Sequence, residues 1–253
     1  MAGLSSKKKN PLSYQAREYR RAVTADLLSS VVKLAETDLH ILAPVCVDDM
    51  ALGLVADIRL ILERYIASSP RFLDALVPLP MDTAAPDIIK KMLAAGHVAN
   101  VGPMAAVAGA IAEYVGQSLL SQGIGEVIVE NGGDLFVARD KACTVAVYAG
   151  ESPLSGKVGI FLQPDQMPCG VCCSSGTIGH SLSLGVADAV IVVAQDTAIA
   201  DAVATRLGNE VKDGRKSINR ALAVAREIKG ISGVLIIAGE QLGAWGAIEL
   251  KRL

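Results

Sequence analysis

A carboxylate and a hydroxyl lie four residues apart in the segment 197–209, at Asp201 and Thr205. The spacing of apolar residues predicts a helix here, and four residues along a helix return a side chain to within about 40° of the same direction. Two hard oxygen ligands on adjacent turns suit Mg²⁺, with water and phosphate completing its shell. The alternative is that both side chains face solvent, opposite an apolar stripe on the same helix.

A pair of glycines separates two short apolar runs in the sequence Asn131-Gly132-Gly133-Asp134. Glycine adopts positive φ without steric cost, and it lets a ligand approach the main chain closely. Gly132, Gly133 and Asp134 are therefore candidate ligand-binding residues. The alternative is a plain hairpin turn, because Asn-Gly is the commonest local signal for one.

The segment 174–180 combines hydroxyls, glycines and one histidine. Ser175, Gly176 and Thr177 are candidates for holding phosphate oxygens through side-chain and backbone donors. His180 is the candidate catalytic residue, since an imidazole can orient a ligand or transfer a proton. The segment lacks the Gly-Lys-Ser/Thr ending of a P-loop, so it does not predict ordinary ATPase chemistry.

Three of the five cysteines are crowded together at Cys169, Cys172 and Cys173. Thiols at this spacing can bind zinc or form a redox pair, and His180 would be a further ligand. Structural zinc sites usually assemble two such pairs, whereas this sequence has one. A thiol or zinc protein is therefore kept as an alternative function.

The residues above are positioned by a predicted series of helices and short strands. Apolar periodicity predicts strands over 28–34, 39–43, 126–130, 134–138, 143–149, 158–162, 187–194, 233–237 and 247–250. It predicts helices from Asp48 or Asp49 to about residue 67, from Pro86 onward, and over 104–121, 197–209 and 217–228. The segment 163–179 is predicted to be a loop that carries the clustered cysteines.

Two parts of this series share one order, a helix followed by a hairpin. The order occurs at 104–138 and again at 217–250. It predicts an α/β (α+β) fold with a mainly antiparallel sheet and helices packed on one face, with a possible internal helix-hairpin repeat.

Composition limits the function classes. The chain has 253 residues, of which 51% are apolar and 20% charged, so it is globular. Its net charge is -2 and its one basic run is Lys7-Lys8-Lys9, which argues against nucleic-acid binding. The uncharged stretch 98–112 is too short to cross a bilayer. We expect residues 1–16 to form a flexible basic leader and 17–253 a single domain.

Cysteine usage and hydropathy indicate the surroundings of the protein. Five cysteines, an odd number with no disulfide-like spacing, are typical of the reducing cytoplasm. A positive mean hydropathy indicates more apolar surface than one domain easily hides, which predicts a homo-oligomer.

In chain order, these motifs resemble the ApbE superfamily, which binds flavins and transfers FMN from FAD to proteins. The matching pieces are Gly132-Gly133-Asp134 in a hairpin, Ser175-Gly176 ahead of His180, and Ala200-Asp201-Ala202 with Thr205. Longer stretches at 101–109, 129–134 and 174–181, with Glu36-Thr37-Asp38-Leu39 near the start, are similar to a separate branch of that superfamily. The resemblance covers roughly residues 19–239.

The resemblance implies an ApbE-like fold of the T-fold type, with FAD or FMN and Mg²⁺ as cofactors and a small phosphorylated molecule as ligand. It assigns Mg²⁺ to Asp201 and Thr205, and it assigns the flavin nucleotide to the Gly-Gly-Asp hairpin and the histidine loop. The transferase family carries Asp-Pro three residues after the histidine, where this chain has Ser183-Leu184. This departure, with the missing lipoprotein leader of exported ApbE proteins, favours flavin binding over FMN transfer.

Overall fold

A computed structural model describes residues 26–176, 185–212 and 214–253. Six helices lie in these ranges: α1 (Asp48–Ser68), α2 (Arg71–Asp74), α3 (Asp87–Ala99), α4 (Val107–Ser121), α5 (Thr197–Glu210) and α6 (Gly214–Glu227). The strands there are β1 (Leu28–Leu34), β2 (Thr37–Ala43), β3 (Val127–Asn131), β4 (Asp134–Ala138), β5 (Cys143–Ala146), β6 (Val158–Leu162), β7 (Cys169–Ser174), β8 (Ala189–Ala194), β9 (Ile231–Ala238), β10 (Gln241–Gly246) and β11 (Glu249–Arg252).

Eight of these strands form one sheet in the order β1-β2-β3-β4-β7-β8-β9-β10. Every neighbouring pair in it is antiparallel. The predicted α/β (α+β) class with a mainly antiparallel sheet is therefore confirmed.

The two faces of the large sheet pack against different partners. On one face α4 lies against β3 and β4, and α5 lies against β7 and β8. The other face carries a second, three-stranded sheet in the order β11-β6-β5. Side chains alternate along β4 between the two cores, because Phe136 packs with the helices and Val137 packs with the small sheet. The sequence predicted the helical layer and missed the second sheet.

Local signals account for where the helices on this face begin. Pro86 immediately precedes α3, as predicted. Pro103 opens a 3₁₀ turn, Pro103–Ala106, that leads into α4, so the regular helix starts later than the predicted residue 104. Asp196 caps α5, because its Oδ1 accepts a hydrogen bond of 2.9 Å from the Ile199 amide.

The predicted loop over 163–179 is wrong at its centre. Residues Cys169–Ser174 form β7, a strand inside the large sheet between β4 and β8. Its glycine, cysteines and serine are weak strand formers, but small side chains are needed where helix α5 lies close above. A Cβ on Gly170 would lie 2.6 Å from the Cα of Thr197, the first residue of α5.

The end of the chain also differs from its prediction. The hairpin partner of β9 is β10, whereas the segment near the predicted strand 247–250 belongs to β11, which pairs with β6 in the small sheet. Gly246 has a φ of 91°, and this left-handed residue turns the chain away between the two strands. The order of a helix followed by a hairpin is nevertheless present twice, as α4-β3-β4 and α6-β9-β10.

No single helix among the described residues combines the length and the apolar character needed to cross a lipid bilayer. One pair bent by 104°, Asp87–Ala99 with Pro103–Ser121, reaches these values only in combination.

Candidate ligand and metal site

The glycine pair forms the turn between β3 and β4. Gly132 and Gly133 have φ values of 70° and 108°, which a residue with a side chain adopts only under strain. The turn is held by its neighbours, since the Gly133 amide donates to Glu130 Oε1 at 2.8 Å. Asn131 Nδ2 donates to the Ala108 carbonyl at 3.1 Å, which ties the hairpin to the start of α4. The segment is thus a hairpin turn that is also docked against a helix.

Asp134 is the first residue of β4 and follows that turn directly. Its position opposite Asn131 points its side chain to the helical face of the sheet, where it is buried. The Asp134 Oδ1 accepts a hydrogen bond of 3.2 Å from the Cys173 amide of β7. The hairpin therefore places a carboxylate between the sheet and the helices.

Asp201 reaches the same region from α5. It is 9% exposed, and its Oδ2 accepts a hydrogen bond of 2.8 Å from the Gly109 amide of α4. A Cβ on Gly109 would lie 2.8 Å from the Asp201 Cβ, so only glycine permits this close approach of α4 and α5. Thr205, one turn later, is half-buried. The alternative of a solvent-facing carboxylate is wrong for Asp201.

Burial raises the pKa of both carboxyl groups, and the charge of Asp201 adds to the rise at Asp134. Burial raises the pKa of Asp201 to about 7, although hydrogen bonds from the Gly109 and Ala108 amides oppose the rise. Burial, followed by the charge of Asp201, raises the pKa of Asp134 well above its usual range. Among the described residues no lysine or arginine forms an ion pair with either group. Two buried acids with no basic partner in the described part of the chain can share a proton or hold a cation.

The cysteine cluster does not converge on one point. Cys172 faces the helices, and its thiol donates to the Thr197 carbonyl at 3.4 Å, whereas Cys169 and Cys173 lie on the other face of β7. Burial raises the pKa of Cys169 to about 12 and that of Cys172 well above the ordinary value, which keeps both protonated. Among the residues with described positions, no group of three or more His, Cys, Asp or Glu side chains is placed to hold a metal ion.

Ser175 and Gly176 directly follow β7, at the end of the strands where the turn of the glycine hairpin also lies. The Gly176 amide donates to the Ala187 carbonyl at 2.8 Å, and a Cβ on Gly176 would lie 2.3 Å from the Gly185 carbonyl oxygen. Residues 176 and 185 thus meet. Gly185 in turn approaches the end of α5, since its Cβ would lie 1.8 Å from the Gly208 carbonyl oxygen. Thr177 and His180 lie outside the described residues.

The sequence analysis missed the residues that hold the start of α5. Glu113 Oε2 accepts a hydrogen bond of 2.9 Å from the Thr197 amide, and Glu113 Oε1 accepts one of 2.6 Å from Lys91 Nζ. The sequence held one signal, because Glu113 is the one charged residue within α4. In the structure this residue is buried, with 4% exposure. The role of Gly109 had no such signal, since it depends on a contact between distant segments.

Solved structures with a similar fold include two flavin transferases. The flavinyl transferase ApbE of Pseudomonas stutzeri, in its apo form, has a TM-score of 0.56 at 14% identity, with 87% of this chain and 94% of that chain covered. The flavin transferase ApbE of Vibrio cholerae has a TM-score of 0.55 at 14% identity, with 88% and 97% covered. These similarities define the class of fold, that of the ApbE flavin transferases.

Sequence similarity then gives the family. The profile of the family described as AbpE bacteria matches residues 20–232, and the chain belongs to this family. A UPF0280 protein of Methanosarcina acetivorans is 40% identical over 190 residues, which are 75% of each chain. A UPF0280 protein of Methanocaldococcus jannaschii is 45% identical over 194 residues, which are 75% of this chain and 78% of the relative. The predicted resemblance to a branch of the ApbE superfamily is confirmed.

Proposed function

We propose that this protein binds a flavin nucleotide, FAD or FMN, with Mg²⁺ held by Asp201 and Thr205. The observation that carries the proposal is the buried pair of Asp134 and Asp201 between the sheet and the helices, close enough for the charge of Asp201 to raise the pKa of Asp134, in a site with no described basic partner. Perturbed carboxyl groups of this kind are concentrated at functional sites. A bound divalent cation would offset their mutual repulsion.

The donor set fits Mg²⁺. The Asp201 carboxylate and the Thr205 hydroxyl are hard oxygen donors one turn apart on α5, and Asp134 adds a second carboxylate on the facing strand. When bound, Mg²⁺ would supply positive charge to the phosphate oxygens of the nucleotide. The Asp201 carboxylate is held in place by the Gly109 amide, so little rotamer freedom is lost when an ion binds.

The described residues among the remaining predicted ones lie at the same end of the sheet as Asp134. The Gly132-Gly133 turn leaves main-chain space at one side of Asp134, with its positive φ angles fixed by docking against α4. Ser175 and Gly176 follow β7, which pairs with strand β4 of the hairpin, so they lie at the same end of the strands as the Gly132-Gly133 turn. We propose that these residues, with Thr177, contact the nucleotide and that His180 orients it or transfers a proton.

The test is FAD binding by the full chain in the presence and absence of Mg²⁺. We expect quenching of flavin fluorescence that saturates at millimolar Mg²⁺ and is reversed by EDTA. Asp201→Ala should weaken binding about tenfold or more, with the chain still folded by circular dichroism. Glu126→Gln, a carboxylate change outside the site, is the matched control. Equal affinity in wild type and Asp201→Ala would reject the metal assignment.

A second candidate is cleavage of FAD, for which the similarity in fold to flavin transferases is the favouring observation. Cleavage of the pyrophosphate bond by water would release FMN and AMP. Chromatography of FAD after incubation with protein and Mg²⁺ separates the two outcomes. AMP release that is lost in Asp201→Ala supports an enzyme, whereas tight binding without AMP supports a non-catalytic flavin-binding protein on the same fold.

A further inference from the structure

The backbone amide of Thr197, the first residue of α5, donates a hydrogen bond to a side chain of another helix. Thr197 is fully buried, so water does not satisfy its backbone. Glu113 Oε2 from α4 accepts the Thr197 N–H at 2.9 Å. The cap of α5, Asp196, accepts the Ile199 N–H instead, so Glu113 is a second and separate anchor of the helix start.

The other oxygen of Glu113 is bonded just as closely. Glu113 Oε1 accepts hydrogen bonds from Lys91 Nζ on α3 at 2.6 Å and from Gln117 Nε2 at 2.7 Å. Lys91 also lies 3.5 Å from Asp196 Oδ2. Burial disfavours the Lys91 ammonium, but its bonds to Glu113 and the charges of Glu113 and Asp196 outweigh this and raise its pKa. The Glu113 carboxylate is thus fixed from three directions.

A second bond joins the same two helices one turn away. Gly109 precedes Glu113 by four residues on α4, and Asp201 follows Thr197 by four residues on α5. The Gly109 N–H donates to Asp201 Oδ2 at 2.8 Å. The two bonds have opposite directions, since α4 supplies the acceptor in one and the donor in the other. They are about 6 Å apart along the helices, so together they fix both the rise and the rotation of α5.

We propose that Glu113 is a positioning residue for the metal site. It does not touch the ligand and acts through the Thr197 amide, which sets the rotation of α5 and therefore the direction in which the Asp201 carboxylate points. The inference rests on the proposed function, because it concerns the same Asp201 site. It predicts that loss of the Glu113 charge weakens cation binding even though Asp201 and Thr205 are unchanged.

The test uses Mn²⁺ alone as the probe, with free Mn²⁺ measured by electron paramagnetic resonance in solutions of the full chain. In Glu113→Gln, the side-chain oxygen can still accept a hydrogen bond, either from the Thr197 amide or from Lys91 and Gln117. The side-chain nitrogen can only donate, so it faces other donors and leaves one of these two positions without an acceptor. We expect its Mn²⁺ dissociation constant to rise about tenfold, as for other residues that orient a metal ligand. Hydrogen exchange of the amides at 197–199 should accelerate in the same variant.

Glu126→Gln is the matched control, since it also removes a paired carboxylate. Glu126 bonds Arg139 at 2.8 Å at the opposite end of the β3–β4 hairpin. The Mn²⁺ affinity of Glu126→Gln should equal that of wild type, even where its thermal midpoint is similar to that of Glu113→Gln. Lys91→Met is a second variant, and it should weaken Mn²⁺ binding less than Glu113→Gln does, because Glu113 keeps its hydrogen bond to the Thr197 amide.

Two failures can be distinguished. If wild type binds Mn²⁺ and Asp201→Asn does not, while Glu113→Gln and Lys91→Met bind as wild type does, the positioning role is overturned and the proposed site stands. If wild type and Asp201→Asn bind Mn²⁺ equally, the metal assignment fails and the positioning role fails with it.

Discussion

Both ends of the β3–β4 hairpin carry acidic side chains, but the surroundings of these side chains differ. At the open end, Glu126 is paired with Arg139 at 2.8 Å, and Arg139 also bonds Asp26 at 2.6 Å. Hydrogen bonds from Lys141 and then Arg139 lower the pKa of Asp26 to about 2. At the turn end, Asp134 has a raised pKa and no described basic partner.

Under the proposed function, this difference separates a structural use of charge from a functional one. The Arg139 guanidinium at the open end compensates Glu126, whose side chain is only 14% exposed. The pair at the turn end, Asp134 with Asp201, has no compensating basic side chain among the described residues, which leaves room for a cation there. Because both ends belong to the same two strands, variants at the two ends are natural controls for each other.

The largest expected effect is on ligand binding at the turn end. Asp134→Asn keeps the shape of the side chain and removes its charge, so we expect Mg²⁺-dependent FAD affinity to fall about a hundredfold. The free energy of unfolding without metal should stay the same or rise, because an uncompensated buried acid is removed. Isothermal titration and urea denaturation measure the two quantities. A lower free energy of unfolding with unchanged FAD affinity would show that Asp134 has a structural role and not a ligand-binding one.

The next effect is the dependence of stability on pH. The pKa of Asp201 is raised in the folded state, so its carboxyl retains a proton there that the unfolded chain loses above about pH 4. Its contribution to stability is therefore greatest at low pH and declines as the pH rises to about 7. The decline for metal-free wild type relative to Asp201→Asn should be roughly 2 to 3 kcal/mol between about pH 5 and pH 7.

Urea denaturation of both chains in EDTA measures this difference. Subtracting the variant cancels the titration of all other groups that the substitution leaves undisturbed. A difference that is constant with pH would show that the Asp201 carboxyl is not perturbed by its surroundings.

The smallest effect is expected from the open end. Arg139→Leu leaves Glu126 without its partner in a site where the Glu126 side chain is 14% exposed. We expect a loss of about 2 kcal/mol in the free energy of unfolding, less than for a fully buried pair. Mg²⁺-dependent FAD affinity should be unchanged, which thermal denaturation and titration of the same sample will establish. Weakened FAD binding would mean that the two ends are coupled through the strands.

Local patterns in the sequence were sufficient for most helices and for the glycine hairpin. The four-residue spacing of Asp201 and Thr205 places both residues on the same side of a helix. The sequence Asn131-Gly132-Gly133 predicts a turn. Strand β7 was missed because a strand buried on both faces shows no alternation and because Cys169–Ser174 has weak strand formers. The anchors of α5 were missed for a different reason, since Gly109 and Glu113 act through residues more than 80 positions away.

The close approach of Gly185 to the carbonyl of Gly208 has a mechanical consequence. Residues 176 and 185 adjoin each other, and 185 rests on the last turn of the helix that carries Asp201. A shift of that last turn would therefore be passed directly to residue 185 and from there to residue 176. If the proposed cation binds at Asp201, its position and that of the backbone at residue 176 would be set by the same helix.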